Sequence, residues 1–306
     1  LEKTVNEIVG VLAAVASSAL GGSAVGATRY VVGACDPLTL GAFRFGIGFV
    51  FLLAISLYQG SPWPRRSDWP KVASLGLLFF GLFPVLFNAS LSFTTAARGA
   101  LALSTLPVLT MLVAAALGVE KLTLRKTLGV LVAMVGVGTA LLSGLSTAPA
   151  NAWRGDLLMI GAALCMALYS VWSRPVIRSC GPIPFTTMAM GVGALALVLI
   201  AWFRGGFGAV STFALTQWLA IAYLGIFGSA LTFFLWAFAL GRTTPTKVAV
   251  SVTVNPVTAS LVGAFLLAEP IRWSLVVGLV MVFAGIWIAT RADTPSAAAS
   301  PAKLNR

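Results

Sequence analysis

Histidine is absent from this chain, which removes the commonest general base and metal ligand. Cysteine is scarce. Cys35, Cys165 and Cys180 lie far apart, form no CxxC pair and show no metal-ligand spacing, so they read as ordinary buried or boundary residues. Charge is the third deficit. Only 9% of residues are Asp, Glu, Lys or Arg, against about 25% in soluble domains. A chain so poor in charge cannot coat a water-soluble surface, so its solvent is the membrane. Carboxylates are missing where proton coupling would want them, inside apolar stretches. Glu7, Asp36, Asp68, Glu120, Asp156, Glu269 and Asp293 fall at the ends of such stretches or in loops, and Glu2 is terminal. These absences leave no nucleophile, base or metal set for an intramembrane enzyme, and no cofactor or metal is expected. The net charge of +12 is dispersed over loops rather than gathered into a nucleic-acid patch.

What the chain has is apolar length: 59% of it is hydrophobic. Residues 8–28, 72–97, 99–119, 127–153, 179–203 and 248–268 contain no charged side chain, and a helix of about 20 residues crosses the hydrocarbon core. The expected spans are ten: 8–31, 38–58, 72–93, 98–118, 127–144, 155–173, 184–203, 215–240, 246–267 and 273–290. The first is long enough to span, so it reads as a retained helix rather than a cleaved leader. Turn formers such as Asp36-Pro37, Pro182-Ile183-Pro184 and Glu269-Pro270 separate spans, and residues 292–306 read as a disordered tail rich in Ser, Ala and Pro. With a cytoplasmic N-terminus, fourteen Lys and Arg fall on the cytoplasmic side and five on the outer side. The positive-inside rule then puts both termini in the cytoplasm.

The halves of the chain repeat each other. At an offset of 149, residues 69–136 align on 218–285 without a gap. Trp69 meets Trp218, Thr94-Thr95 meet Thr243-Thr244, Pro107 meets Pro256, Glu120 meets Glu269, and Gly129 and Gly136 meet Gly278 and Gly285. An offset of 145 aligns the first two spans on spans six and seven, with Arg29 on Arg174 and Pro37 on Pro182. Five spans per repeat make the second copy inverted. The expected units are 1–147 and 148–291. Inverted repeats suit alternating access, with the substrate near the midplane between halves.

The segments LPVLTMLVAAALGVEKLTLRKTLG and NPVTASLVGAFLLAEPIRWSLVVG carry a Pro, an acidic residue about thirteen later and then spaced glycines. This pattern resembles the drug/metabolite transporter superfamily and its ten-helix EamA-type members, and within it the chain looks most like the YddG-type aromatic amino-acid exporters. The resemblance implies an all-α membrane protein, a basket with spans 1, 3, 4, 6, 8 and 9 around a central cavity. It also implies export of small neutral or zwitterionic metabolites, aromatic and other bulky amino acids foremost, from the cytoplasm across a bacterial inner membrane. The alternatives are a proton-coupled drug or metabolite exporter and a nucleotide-sugar-type exchanger. A small-molecule substrate and lipid are the implied partners, nucleic acid is not, and a monomer suffices. Small multidrug members place a Glu in the first span, where this chain has Ser17, Ser18 and Gly22, which favours facilitated exchange.

Candidate cavity residues follow from faces and polar outliers. Span three offers Phe80, Phe83 and Phe87 at helical spacing, then Asn88; the matching positions in span eight are Ser229, Thr232 and Trp236. Tyr169 and Trp172 add aromatic surface from span six. Pro107 and Pro256 are expected to kink their helices and free carbonyls one turn earlier; Ser104, Ser251 and Asn255 precede them and serve either the substrate or repair of the kink. Arg98 and Lys247 match across the repeat at opposite span starts and are candidate gate residues. Arg44 lies inside an apolar span and either contacts a substrate carboxylate or snorkels to the interface. Gly22 and Gly26 form a GxxxG, and the pairs Gly129/Gly136 and Gly278/Gly285 are expected to bring spans five and ten together.

Overall fold

The computed structural model describes residues 2–32, 36–91, 93–94, 99, 102–141, 151–258 and 273–290. Among the described residues there is no strand. Six helices are long and apolar enough to cross a membrane: Val5–Ala24, Pro37–Tyr58, Arg66–Ser90, Ala152–Cys180, Pro182–Phe203 and Leu215–Arg242. In chain order the elements used below are α1 (Glu2–Val32), α2 (Pro37–Tyr58), α3 (69–91), α4 (Leu106–Ala116), α5 (Leu124–Leu141), α6 (Ala152–Cys180), α7 (Pro182–Phe203), α8 (Leu215–Arg242), α9 (Pro245–Val250, with a 3₁₀ turn Ser251–Thr253 behind it) and α10 (Trp273–Thr290).

Local chemistry sets the boundaries. Asp36 Oδ2 accepts from the Thr39 amide, and Pro37 occupies the first turn of α2, where a missing N–H costs nothing. Gly181, at φ 90°, turns the chain between α6 and α7, a conformation that a residue with a Cβ resists. Outward faces carry apolar side chains such as Val50, Leu57, Leu195, Phe203 and Val280. That surface suits lipid.

The prolines behave differently from simple kinks. Pro107 lies in the first turn of α4, and the chain upstream is a turn at Ser104-Thr105 rather than continuous helix. The expected unbroken span 98–118 is therefore interrupted. Before Pro256 the helix tightens into the 3₁₀ turn Ser251–Thr253. Hydroxyls take up the loosened carbonyls: Thr105 Oγ1 donates to Ala102 O, Ser251 Oγ to Val248 O and Thr253 Oγ1 to Val250 O, each at 2.7 Å. Residues 204–214, between the expected spans 184–203 and 215–240, contain the 3₁₀ helix Gly206–Thr212.

Two features position the site. First, α3 and α8 each contain a π-helical stretch, Leu77–Leu82 and Ile226–Leu231, and the two differ by 149 in residue number at both ends. Second, glycines bring helices into backbone contact. A Cβ at Gly48 of α2 would press on Met190, the Gly225 carbonyl and Ser229; one at Gly193 of α7 would press on Phe80 and the Gly76 carbonyl. The α5–α10 seam runs along Gly129, Gly136 and Gly285, whose Cβ positions are filled by backbone of the facing helix. The expected approach of spans five and ten is what the structure has.

Candidate functional site

The bundle holds a ring cluster on one side of its interior and a hydroxyl-rich seam on the other. The ring cluster centres on Tyr169 of α6. Phe79 stacks on it with centroids 4.3 Å apart, Phe80 meets it edge-on at 5.9 Å and Phe185 of α7 lies at 6.0 Å. Phe80 also contacts Phe233 of α8 at 5.1 Å and Phe45 of α2 at 5.5 Å. Phe83 packs on Phe79 at 5.1 Å and on Phe87 at 5.8 Å. The π stretch of α3 brings Phe79 and Phe80 to the same partners, because its wider turn offsets the ordinary helical spacing. The Tyr169 hydroxyl is buried and, among the described residues, has no hydrogen-bond partner.

The seam runs between α1, α8 and α9. Ser17 Oγ donates to the Thr232 carbonyl at 2.7 Å, and the Thr232 hydroxyl donates back into the π stretch, to Phe227 O at 2.7 Å. Ser18 and Ser251 share a hydrogen bond of 2.9 Å, and Ser251 also reaches Ala14 O. Asn255 lies against Gly21, and its buried Oδ1, like the buried Trp236 Nε1, has no hydrogen-bond partner among the described residues. Arg44 crosses from α2 to the π stretch of α8, where Nη2 donates to Gly228 O at 2.6 Å and Nε to Ser229 Oγ at 2.9 Å. It is turned inward rather than snorkelled.

The structure thus brings Phe80, Phe83, Phe87 and Tyr169 into connected ring contacts, and Ser229, Thr232, Ser251 and Asn255 onto the seam. Asn88 is half-buried and Ser104 buried. Trp172, three residues from Tyr169, is 41% exposed and, among the described residues, makes no ring contact with the cluster. Phe79, Phe233, Phe45, Ser17 and Ser18 complete the two groups. No compositional signal singles out these rings, since the π register that aligns Phe79 leaves no mark in the sequence.

Lys247 is buried and forms an ion pair with Glu7 of α1, while its Nζ donates to Thr290 O of α10 at 3.0 Å. Its neighbour Thr246 gives its amide to Glu120 Oε1 at 2.9 Å, and Glu120 also pairs with Lys126 at 2.8 Å. The starts of α1, α5 and α9 and the end of α10 are tied together at this end of the bundle. Gly10 of α1 packs on Thr243 there; far along the bundle Gly155 of α6 packs on Thr94, whose hydroxyl reaches Asp156 at 3.1 Å. Arg98, the expected counterpart of Lys247, lies outside the described residues, as do Glu269, Cys35 and the tail 292–306. Among the described residues, no group of His, Cys, Asp and Glu could hold a metal ion.

An all-helical, lipid-faced bundle with a buried polar and aromatic interior belongs to the class of integral membrane proteins. Comparison with known proteins gives the family. The EamA-like transporter family model matches residues 8–142 and again 153–291, so this chain belongs to the EamA-like transporter family of the drug/metabolite transporter superfamily, and it is a membrane transporter. It is 27% identical over 277 residues to the uncharacterized transporter YyaM of Bacillus subtilis (strain 168), covering 88% of this chain and 89% of that one. A probable terminal-alkyne amino-acid exporter of Streptantibioticus cattleyicolor is 25% identical over 230 residues, covering 74% of this chain and 75% of its own length. A crystal structure superposes with a TM-score of 0.76 at 22% identity, covering 94% of this chain and 96% of that chain.

Proposed function

We propose that the protein exports small zwitterionic metabolites, aromatic and other bulky amino acids foremost, across a bacterial inner membrane. The observation that carries this reading is the ring cluster packed on Tyr169, whose buried hydroxyl, like Trp236 Nε1 and Asn255 Oδ1, has no partner among the described residues. A buried polar atom left unsatisfied costs about 1–3 kcal/mol. One of the three on a ring of the cluster and two on the α1, α8 and α9 side offer groups that an aromatic substrate with hydrogen-bonding ends would satisfy. The amino-acid exporter among the relatives supports the substrate class.

The proposed architecture is ten spans in two inverted repeats, 1–147 and 148–291. Four observations support it. The family model matches each half. The π stretches recur at the offset of the sequence repeat. Gly48 against the Gly225 carbonyl has its counterpart in Gly193 against the Gly76 carbonyl, and Gly10 on Thr243 has its counterpart in Gly155 on Thr94. These pairs obey the offsets of 145 and 149 read from the sequence. Alternating access follows from such symmetry when equivalent contacts open in turn at the two ends. Lys247 with Glu7 is then the gate at the cytoplasmic end, and Arg98 its counterpart outside.

Transport is proposed to be facilitated. Glu7, Glu120 and Asp156 lie near helix ends, engaged with Lys247, Lys126 and Thr94. The test is uptake of labelled phenylalanine, tryptophan, methionine and threonine by proteoliposomes containing only this protein, with and without a proton gradient. Saturable flux that ignores the gradient supports the reading. Flux of other metabolites alone overturns the substrate class, and flux that needs the gradient overturns facilitation.

A further inference from the structure

We infer that Arg44 is the anchor for the carboxylate of the substrate. This rests on the amino-acid reading above and names the group that would hold one end of the ligand.

Arg44 sits about two turns into α2, and its guanidinium is turned into the protein, against the π stretch of α8. Two nitrogens are used: Nη2 on Gly228 O and Nε on Ser229 Oγ. Among the described residues, Nη1 has no hydrogen bond and no carboxylate reaches the group. Four acids are committed elsewhere: Glu7 to Lys247, Glu120 to Lys126 and Thr246, Asp36 to Thr39 and Asp156 to Thr94. A guanidinium stays charged, and a charge kept within an apolar span without a counter-charge is expensive. One carbonyl and one hydroxyl orient the fork without neutralising it. An incoming carboxylate would do both, and a planar guanidinium suits it.

The position fits an aromatic amino acid. The Arg44 guanidinium carbon lies 5.5 Å from the ring centroid of Phe45, and Phe45 is part of the ring cluster through Phe80 and Phe233. The cation therefore stands at the rim where the rings meet the hydroxyl seam. A ligand with its ring in the cluster and its carboxylate on Arg44 would bridge the two. The alternative role for Arg44 is purely structural, a clamp on the π stretch through Gly228 O.

The experiment separates these roles with three probes of one ring type: phenylalanine, phenethylamine, which lacks the carboxylate, and 3-phenylpropionate, which keeps it but lacks the amine. Each competes with labelled phenylalanine flux into proteoliposomes carrying wild type, Arg44→Gln or Arg44→Lys. The expected result is competition by 3-phenylpropionate well above that by phenethylamine in wild type. In Arg44→Gln the KM for phenylalanine rises by roughly tenfold or more and the preference for the carboxylate disappears. Arg44→Lys, which keeps a charge for Gly228 O and so guards against loss of fold, shows a smaller rise in KM. Folded Arg44→Gln or Arg44→Lys with unchanged KM and unchanged carboxylate preference overturns the inference and leaves the clamp. Wild type that moves no amino acid at all instead overturns the functional reading on which the inference stands.

Discussion

The π stretches of α3 and α8 share a backbone device and differ in everything around it. At Leu77–Leu82 the neighbours are rings: Phe80 meets Tyr169, Phe45 and Phe233, and Gly193 of α7 lies against it. At Ile226–Leu231 the position equivalent to Phe80 is Ser229, and it holds Arg44. The residue equivalent to Arg44 at the offset of 145 is Ala189. A π turn leaves its carbonyls poorly served, and such turns are frequent at functional sites. In α8 the carbonyls of Phe227 and Gly228 are taken by Thr232 and Arg44. The π stretch of α3 thus supplies shape and apolar surface, and that of α8 supplies polar groups. A symmetric backbone lined asymmetrically can hold a ligand with two chemically different ends.

Substitution of the two interhelical glycines breaks this comparison most strongly. An added Cβ at Gly193 meets Phe80 and backbone of α3, neither of which yields easily; at Gly48 the nearest atom is the flexible Met190 thioether. Overpacking costs about 1–3 kcal/mol. Gly193→Ala should fall at the upper end and Gly48→Ala near the lower end, as differential scanning of the purified protein in detergent would measure. Equal losses would mean that the ring side is no more tightly packed than the polar side.

Glu7→Gln comes next. It leaves Lys247 buried opposite a neutral partner, with Thr290 O as its remaining contact. Glu7 is 34% exposed, so water screens the pair and the loss should be about 1–2 kcal/mol, below that of a fully buried pair. If this end of the bundle is a gate, exchange of substrate changes more than stability does, and Lys247→Met reproduces the effect. Unaltered exchange rates in both variants would reduce the pair to a helix tie. Tyr169→Phe sharpens the ring side. It removes a hydroxyl that has no partner among the described residues, so stability should hold within about 1 kcal/mol, whereas phenylalanine flux in proteoliposomes falls several-fold. Unchanged flux would make the ring cluster ordinary core.

Much of this was legible in the chain. Charge-free runs located the helices because lipid tolerates so few ionised groups, and the glycine pairs of α5 and α10 announced their seam because backbone contact leaves no room for a Cβ. The prolines were legible as disturbances but not as helix starts, since the turn at Ser104-Thr105 depends on which hydroxyl captures which carbonyl. The π stretches were not legible, because an extra residue in a turn changes register without changing composition. Arg44 was visible as an anomaly. Its direction depended on a partner, Ser229, far away in sequence.

Trp172 is the smallest and most discriminating case. Both it and Tyr169 are candidate cavity rings of span six, and in the structure it is 41% exposed while Tyr169 is fully buried. Three residues along a helix turn a side chain by about 300°, so adjacent positions on one stripe can straddle its edge. Tyr169 falls inside the edge and Trp172 outside it. Trp172→Leu exchanges one lipid-compatible side chain for another. It should change stability by no more than about 0.5 kcal/mol and leave phenylalanine KM unaltered. A raised KM in that variant would mean that α6 rotates during transport and carries Trp172 to the substrate, which would extend the ring side of the comparison beyond the cluster around Tyr169.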